Sequence, residues 1–343
     1  MTTDCRIDII RDRVRIGELK ATQARIDFDQ SKAVMRSLSA NYHGEKMSQP
    51  GLKFDMFRDR LRPVLITDDG EKPLGLYMIV SAPRTISDTE DYIQLEAYDE
   101  TMIVKQAAFE ERRFYAAGTT YQQIIENLLT ELGFSDIYRE DSTAATADDL
   151  EFAVGDNVLE AINDMLDAMN YQHLYADENG TLNIRRVKNP TEPAFTYKDT
   201  QTFSIMEKMT ENTDIYDLPN VLVGVYSPAR DAAPVVYKKV NDDPNSIIST
   251  VSRGYKVVKM LQLYNSATQA DLEAYVERMA FEAMQATETV TFTTIAEAGH
   301  EPTTAVQLDT EKVKGLFIEN RWTMDLAVGS YRMTHTAERK VFV

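Results

Sequence analysis

Two helix-plus-strand units in succession, between residues 118 and 187, place the tightest limits on how this chain can fold. In the first, apolar residues fall at Tyr121, Ile124, Ile125, Leu128, Leu129 and Leu132. That i, i+3, i+4, i+7, i+8 spacing puts them on one helical face. Thr119 with Gln122, or Thr120 with Gln123, can form a capping box, and Gly133 supplies a stop. The second helix is predicted to open at Asn157, with Glu160 three residues on. Its face is Val158, Ala161, Ile162, Met165, Leu166 and Met169, and Asn170 ends it. Extended runs at 171–176 and 181–187 then flank Asp177-Glu178-Asn179-Gly180, and Asn-Gly between two such runs signals a hairpin. Helices with a single apolar stripe need a surface to lie on, and Leu174, Leu182 and Ile184 offer one, with Arg185 and Arg186 leading out to solvent. Residues 107–190 therefore read as a small α+β domain whose stripes are core.

The flanking sequence is strand-rich. Alternation marks 6–9, 13–16 and 24–29, with turns expected at Asp12-Arg13 and Gly17-Glu18. Residues 30–58 are less regular, broken by Gly44, Pro50 and Gly51, with a short helix expected near 32–39. Strands at 64–67 and 74–81, around Asp68-Asp69-Gly70 and with Pro73 at a strand start, read as a hairpin, and 92–98 alternates again. Five or six short strands with little helix suggest a barrel or sandwich. Asn189, Pro190 and Pro193 form the clearest boundary. Beyond it, 218–226 and 235–240 are strand-like and can pair, 242–245 is a turn, and 246–258 is β-branched and serine-rich, interrupted by Gly254. A third helix is expected over 270–286, on a face of Leu272, Tyr275, Val276, Met279, Ala280 and Ala283, with Thr268 and Asp271 as its capping box. It feeds a strand at 287–294. The end reads as two strands, 315–326 and 331–343, around Val328-Gly329-Ser330.

A chain of 343 residues that is 43% hydrophobic can bury two or three ordinary cores. No apolar run is long enough to cross a bilayer. Met-Thr-Thr-Asp-Cys-Arg is not the start of a signal peptide, so a cytoplasmic origin is expected. Cys5 is the only cysteine, which excludes an intramolecular disulfide. Lys and Arg number 37 against 55 Asp and Glu, a net charge of −18. Such a chain is a poor grip for nucleic acid, whose affinity rests on neutralised phosphates. An acidic surface would still let DNA pass without sticking, although solubility is the plainer use of the charge.

No catalytic constellation emerges. His43, His173, His300 and His335 are far apart, with no HxxH or HExxH spacing, and each reads as a surface or core residue. Cys5 lacks a nearby histidine partner. There is no G-x-S-x-G elbow and no phosphate-cradling glycine loop. Asp177, Asn179 and Gly180 sit in calcium-loop register, but Tyr175 occupies the first ligand position and no closing Glu follows, so the stretch reads as a turn. With 55 acids, carboxylate pairs carry no signal. Trp322, the lone tryptophan, reads as core or interface. The expectation is a non-enzymatic chain with no catalytic, cofactor-binding or metal residues.

The order of elements resembles a known family. An N-terminal β domain closes on LEAYDE (95–100), and the helix GTTYQQIIENLLTELGF (118–134) follows. VGDNVLEAINDMLDAMNYQHLYADENGTLNIRRV (154–187) comes next, and the closing strands are GLFIENRWTMDLAVGSYRMTHT (315–336). This is similar to the baseplate hub proteins of phage tails and related contractile particles, those of defective-prophage type in particular and of large myophages more distantly. The resemblance implies a β-rich α+β protein with two tail-tube-like β-barrels. They map to residues 1–106 and 191–343, the second carrying the helix at 270–286, with the α+β domain of 107–190 between them. It implies a homotrimer whose six quasi-equivalent barrels adapt a six-fold tail tube to a three-fold central spike and continue the tube lumen. The implied partners are the tail tube protein, the spike, other baseplate proteins and the tape measure, with DNA only as passing cargo and no membrane insertion. The implied location is the tail of a virion or phage-tail-like particle assembled in the bacterial cytoplasm. Lytic relatives carry their enzyme as an added C-terminal domain, and no such extension follows Val343. The rival readings are a cell-wall-degrading tail-tip enzyme and a host-binding adhesin. An adhesin would be expected to show repeats or aromatic-rich faces, and neither is present.

Overall fold

A computed structural model describes residues 4–43, 55–87, 91–146, 148–188, 190–199, 209–226, 234–263, 269–327 and 330–341. The chain divides into a larger unit, residues 1–208 with 292–336, and a smaller one, 209–291 with 337–343.

The larger unit begins with β1 (Asp4–Arg11), β2 (Val14–Leu19), β3 (Gln23–Asp29) and β4 (Arg36–His43). Asp12 and Arg13, with φ of 48° and 67°, form the two-residue turn of the β1–β2 hairpin, where Arg11 faces Val14. Next come β5 (Arg60–Thr67), β6 (Gly70–Pro73), β7 (Tyr77–Ser81), β8 (Arg84–Ile86) and β9 (Asp91–Asp99). The short helix expected near 32–39 is instead a turn followed by β4. Asp29 accepts hydrogen bonds from the Ser31 amide and hydroxyl, and Leu38, Ala40 and Tyr42 then alternate inward. The period is two, and it became visible only beyond residue 38. Pro73 closes β6 rather than opening a strand. Cys5, on β1, packs against this core. Burial pushes its thiol up to about 12. Labelling of native protein by a disulfide reagent at about pH 8 is therefore expected to run at least about tenfold slower than in urea, where the thiolate is free to form.

The segment after β9 forms α1 (Thr101–Gln106), β10 (Arg113–Tyr115), α2 (Tyr121–Glu131), β11 (Ile137–Arg139), β12 (Leu150–Phe152), α3 (Val158–Ala168), β13 (Tyr175–Ala176) and β14 (Leu182–Ile184). Thr120 caps α2 by accepting from the Gln123 amide, and Asn157 caps α3 by accepting from the Glu160 amide. Gly133 (φ 90°) and Asn170 (φ 59°) take the left-handed conformation just past the two helices. Ile124, Ile125, Leu128 and Leu129 of α2 join Ile162, Met165 and Leu166 of α3 and Leu174, Leu182 and Ile184 in one apolar core. Fully burying side chains of this size stabilises by about 1.5–3 kcal/mol each. The strand order here is β11-β14-β13, with β11 parallel to β14. Arg185 does not lead out to solvent: it pairs with Glu301 at 3.0 Å and lies over Tyr138.

After β15 (Phe195–Lys198) comes the smaller unit, with β16 (Thr210–Asp214), β17 (Val221–Tyr226), β18 (Val235–Val240), α4 (Thr250–Arg253), β19 (Val258–Leu263) and α5 (Gln269–Ala283). The serine-rich run at 246–258 folds partly as α4, because Ser249 caps its start and Gly254 (φ 74°) its end. β18 pairs antiparallel and β19 parallel to β17, and α5 covers one face of this sheet. Leu222, Leu261, Leu272, Val276 and Ala280 are the core between them. On the other face, Val236, Val258 and Met260 are 51%, 54% and 68% exposed.

The last strands are β20 (Ala286–Ile295), β21 (Ala305–Asp309), β22 (Lys314–Ala327) and β23 (Ser330–Val341). The helix-to-strand passage expected around 286 is seen, with α5 ending at Ala283. β20 and β23 each begin in one unit and end in the other. The main sheet runs β20-β23-β22-β3-β4-β9-β7-β5-β1-β2, while β16 pairs with β20 over residues 287–291. The protein is thus β-rich, and among the described residues this sheet does not close on itself. β22 pairs with β21 along residues 314–318 and with β3 along 321–325. Its buried side chains change parity between the two stretches, from Phe317 and Glu319 to Trp322, Met324 and Leu326. Gly44, Pro50 and Gly51, Asn189, Thr268 of the expected capping box, and Val328 and Gly329 of the last turn lie outside the described residues.

Candidate functional site: a buried histidine–glutamate–histidine cluster

Strand alternation carries two polar side chains into the interior of the larger unit, and a loop adds a third. His335 sits on β23 between Met333 and Ala337, and Glu319 sits on β22 beyond Phe317, all at inward positions. His300 comes from the loop after β20. Among the described residues these three form the one group of ligand-type side chains whose donor atoms all lie within 4.8 Å of one another. Glu319 spreads its carboxylate between the two rings, with Oε1 2.5 Å from His335 Nδ1 and Oε2 2.7 Å from His300 Nδ1. The side chains of His300, Glu319 and His335 are 1%, 0% and 0% exposed.

Each ring is also held from behind. His335 Nε2 lies 2.7 Å from Thr294 Oγ1, on β20, and His300 Nε2 lies 3.4 Å from the Tyr197 hydroxyl, on β15. Phe195 stacks on His300 at 4.1 Å and Phe292 on His335 at 4.6 Å. Burial pushes His335 below its ordinary range, against the hydrogen bond it donates to Glu319. Burial acts to raise the Glu319 carboxyl, but the two rings outweigh it by charge and hydrogen bonding, and it ends below the usual carboxylate range. The cluster can hold protons or a cation between its donors. Sealed from solvent, it offers no access to a substrate.

The other residues weighed from sequence do not join it. His43 is exposed at the end of β4, and His173 is exposed beside Asp167 at 3.2 Å. Asp177 turns its carboxylate onto the Asn179 and Thr181 amides, closing the β13–β14 hairpin as an Asx turn. Trp322 is core, stacked on Phe28 at 5.5 Å. His300, Glu319 and His335 escaped sequence reasoning because 35 residues separate the histidines. The available signal was a charged or titratable residue at an inward position of an alternating strand, as in Phe317/Glu319 and Met333/His335/Ala337.

No family model matches the chain, and no curated protein does. Solved structures do match along its whole length. A tail protein from Neisseria meningitidis MC58 superposes with a TM-score of 0.68 at 13% identity, over 98% of this chain and 97% of its own. The 43 kDa tail protein of prophage MuSo2 from Shewanella oneidensis gives 0.68 at 7% identity, over 98% of both chains. An E. coli component of the type VI secretion system, described as similar in structure to the T4 bacteriophage tail proteins gp27 and gp5, gives 0.52 at 9% identity, over 98% of this chain and 76% of its own. The chain has the fold of phage tail proteins.

Proposed function

We propose that this chain is a structural hub of a phage tail or phage-tail-like particle, a ring that joins the tail tube to the central spike and continues the tube lumen. The observation that carries this reading is the end-to-end match with two tail proteins, each covered over nearly all of its length. A shared local motif would give a partial match. Here the α+β segment and both β-rich flanks are matched together. In this reading the segments 1–106 and 191–343 are tube-like β-barrels of the ring, 107–190 decorates it, and three copies close it. Tube protein, spike and other baseplate proteins are its partners, with DNA only as passing cargo. The partly exposed outer face of the β18-β17-β19 sheet supports an assembled role, since Val258 and Met260 stay exposed in the single chain. The protein does no chemistry of its own in this reading.

Light scattering behind a sizing column, with negative-stain imaging, tests the proposal. The expected result is a mass three times that of the 39.0 kDa chain, or a ring with a central hole. A chain that stays monomeric alone and also when co-expressed with tube and spike proteins would overturn it. Peptidoglycan zymography is expected to give no clearing, and a cleared zone would reopen the cell-wall hydrolase reading.

A further inference from the structure

We propose that His300, Glu319 and His335 form a structural site for one divalent transition-metal ion of zinc type. The argument starts from where the protons can be. The Thr294 hydroxyl donates to the backbone carbonyl of Ile295 at 2.9 Å, so its oxygen receives a proton from His335 Nε2. The Tyr197 hydroxyl oxygen lies 3.4 Å from His300 Nε2, where it can accept a proton in the same way. Both rings can thus carry a proton on Nε2, pointing outward. Both Nδ1 atoms are then free to give up the protons they share with the two Glu319 oxygens at 2.5 and 2.7 Å. Without those protons, the two ring nitrogens and two carboxylate oxygens are four electron-pair donors turned toward one another, which a metal ion can take up in the protons' place.

A metal ion meets that need with the donors present. Two imidazole nitrogens and a carboxylate bound through both oxygens make a four-coordinate N2O2 set without a water. This donor set suits zinc and its first-row neighbours and gives calcium or magnesium too few oxygens. The far nitrogen of each ring is steered by a hydroxyl, the arrangement that orients metal-bound histidines. The competing occupants are protons. They would leave the two rings, 5.3 Å apart inside a box of Phe195, Tyr197 and Phe292, joined to Glu319 by hydrogen bonds alone. The ion would tie β22, β23 and the loop after β20 together without a disulfide. This inference is independent of the hub reading, since it concerns what holds the larger unit and not what the ring joins.

The test uses the full chain, freed of any histidine tag and refolded from urea with and without zinc. Elemental analysis is expected to find about one ion per chain. Cobalt refolded into the site is expected to give the visible absorption of a tetrahedral centre. The zinc-refolded protein is expected to melt well above the metal-free form. His335→Gln is expected to lose about tenfold or more of the bound metal, while His173→Gln, at the exposed histidine, keeps it. No bound metal in the wild-type chain, with no cobalt spectrum and no zinc-dependent melting shift, would overturn the proposal and leave a proton-filled network. Because those readouts use the wild-type chain, they stand even if the His335 variant fails to fold.

Discussion

Arg36→Met lowers the stability of the larger unit by about 3–5 kcal/mol, a fall of about 10 °C in its melting temperature. Arg36 lies on β4 and is 2% exposed. Its guanidinium sits 5.8 Å from the Phe28 ring centre and 5.6 Å from that of Trp322, and it donates to the His300 carbonyl at 2.9 Å. It thereby joins the N-terminal strands to the loop that carries His300. Methionine keeps most of the length and apolar volume, so the cavity left is small. What is lost is the cation. The His300 carbonyl loses this donor, and Asp99 loses its positive neighbour. Asp99 already lies above its ordinary range, chiefly through burial, with hydrogen bonds from Thr101 and the Arg36 amide and the Arg36 charge working the other way. A carboxyl raised in the folded state is most favourable to stability at low pH, where it is protonated in both states, and its contribution is lost as pH rises through the folded value. Removing Arg36 raises it further. The deficit of the variant is therefore expected to be larger at about pH 8 than at about pH 5. Urea unfolding followed by the fluorescence of Trp322 reads this unit directly. A variant within about 1 kcal/mol of wild type at both pH values would show that the buried cation contributes little.

That same contact shows where the fold could be read from sequence and where it could not. α2 and α3 were legible because everything that makes them lies within a dozen residues: the 3.6 period, the Thr120 and Asn157 caps, and the stops at Gly133 and Asn170. The β13–β14 hairpin was legible for the same reason, since its turn chemistry is local. β4 was misjudged because its opening residues carry no pattern, and its inward set of Leu38, Ala40 and Tyr42 begins late. The site was illegible because its geometry is a product of pairing across the chain. β22 pairs with β3, nearly three hundred residues away, so that Trp322 faces Phe28 and Met324 faces Ile26. The change of buried parity along β22, which sends Glu319 and Trp322 to different environments, looks from the sequence alone like a broken alternation. Register over such distances is fixed by which faces become buried, and no window of sequence contains that.

Gly224→Ala detaches α5 from the sheet of the smaller unit. Gly224 occupies β17 between Leu222 and Tyr226, on the face that α5 covers. A Cβ there would come within 2.3 Å of Val276 Cγ2 and 3.0 Å of Leu272 Cδ1. Val276 is fully buried and β-branched, with essentially one rotamer open to it in a helix, so it cannot swing aside. The helix must lift instead, and lifting opens the contacts of Leu222, Leu261, Leu272 and Ala280 together. Overpacking of this kind costs about 1–3 kcal/mol. Restricting the unfolded chain returns only about 0.4–1 kcal/mol. In a unit this small each kcal/mol shifts the melting temperature by about 4–8 °C, so the loss amounts to about 10 °C. Hydrogen exchange is the measurement to make: the amides of α5 should lose protection while the Trp322 unfolding transition, which belongs to the larger unit, stays in place. Adding Val276→Ala should restore much of the protection, because it removes the methyl that the new Cβ strikes and leaves the two substitutions strongly non-additive. Unchanged exchange of α5 in the single variant would mean that the sheet yields at Gly224 rather than the helix. If the helix does lift, the sheet it backs, whose other face already presents Val258 and Met260 to solvent, becomes open on both faces.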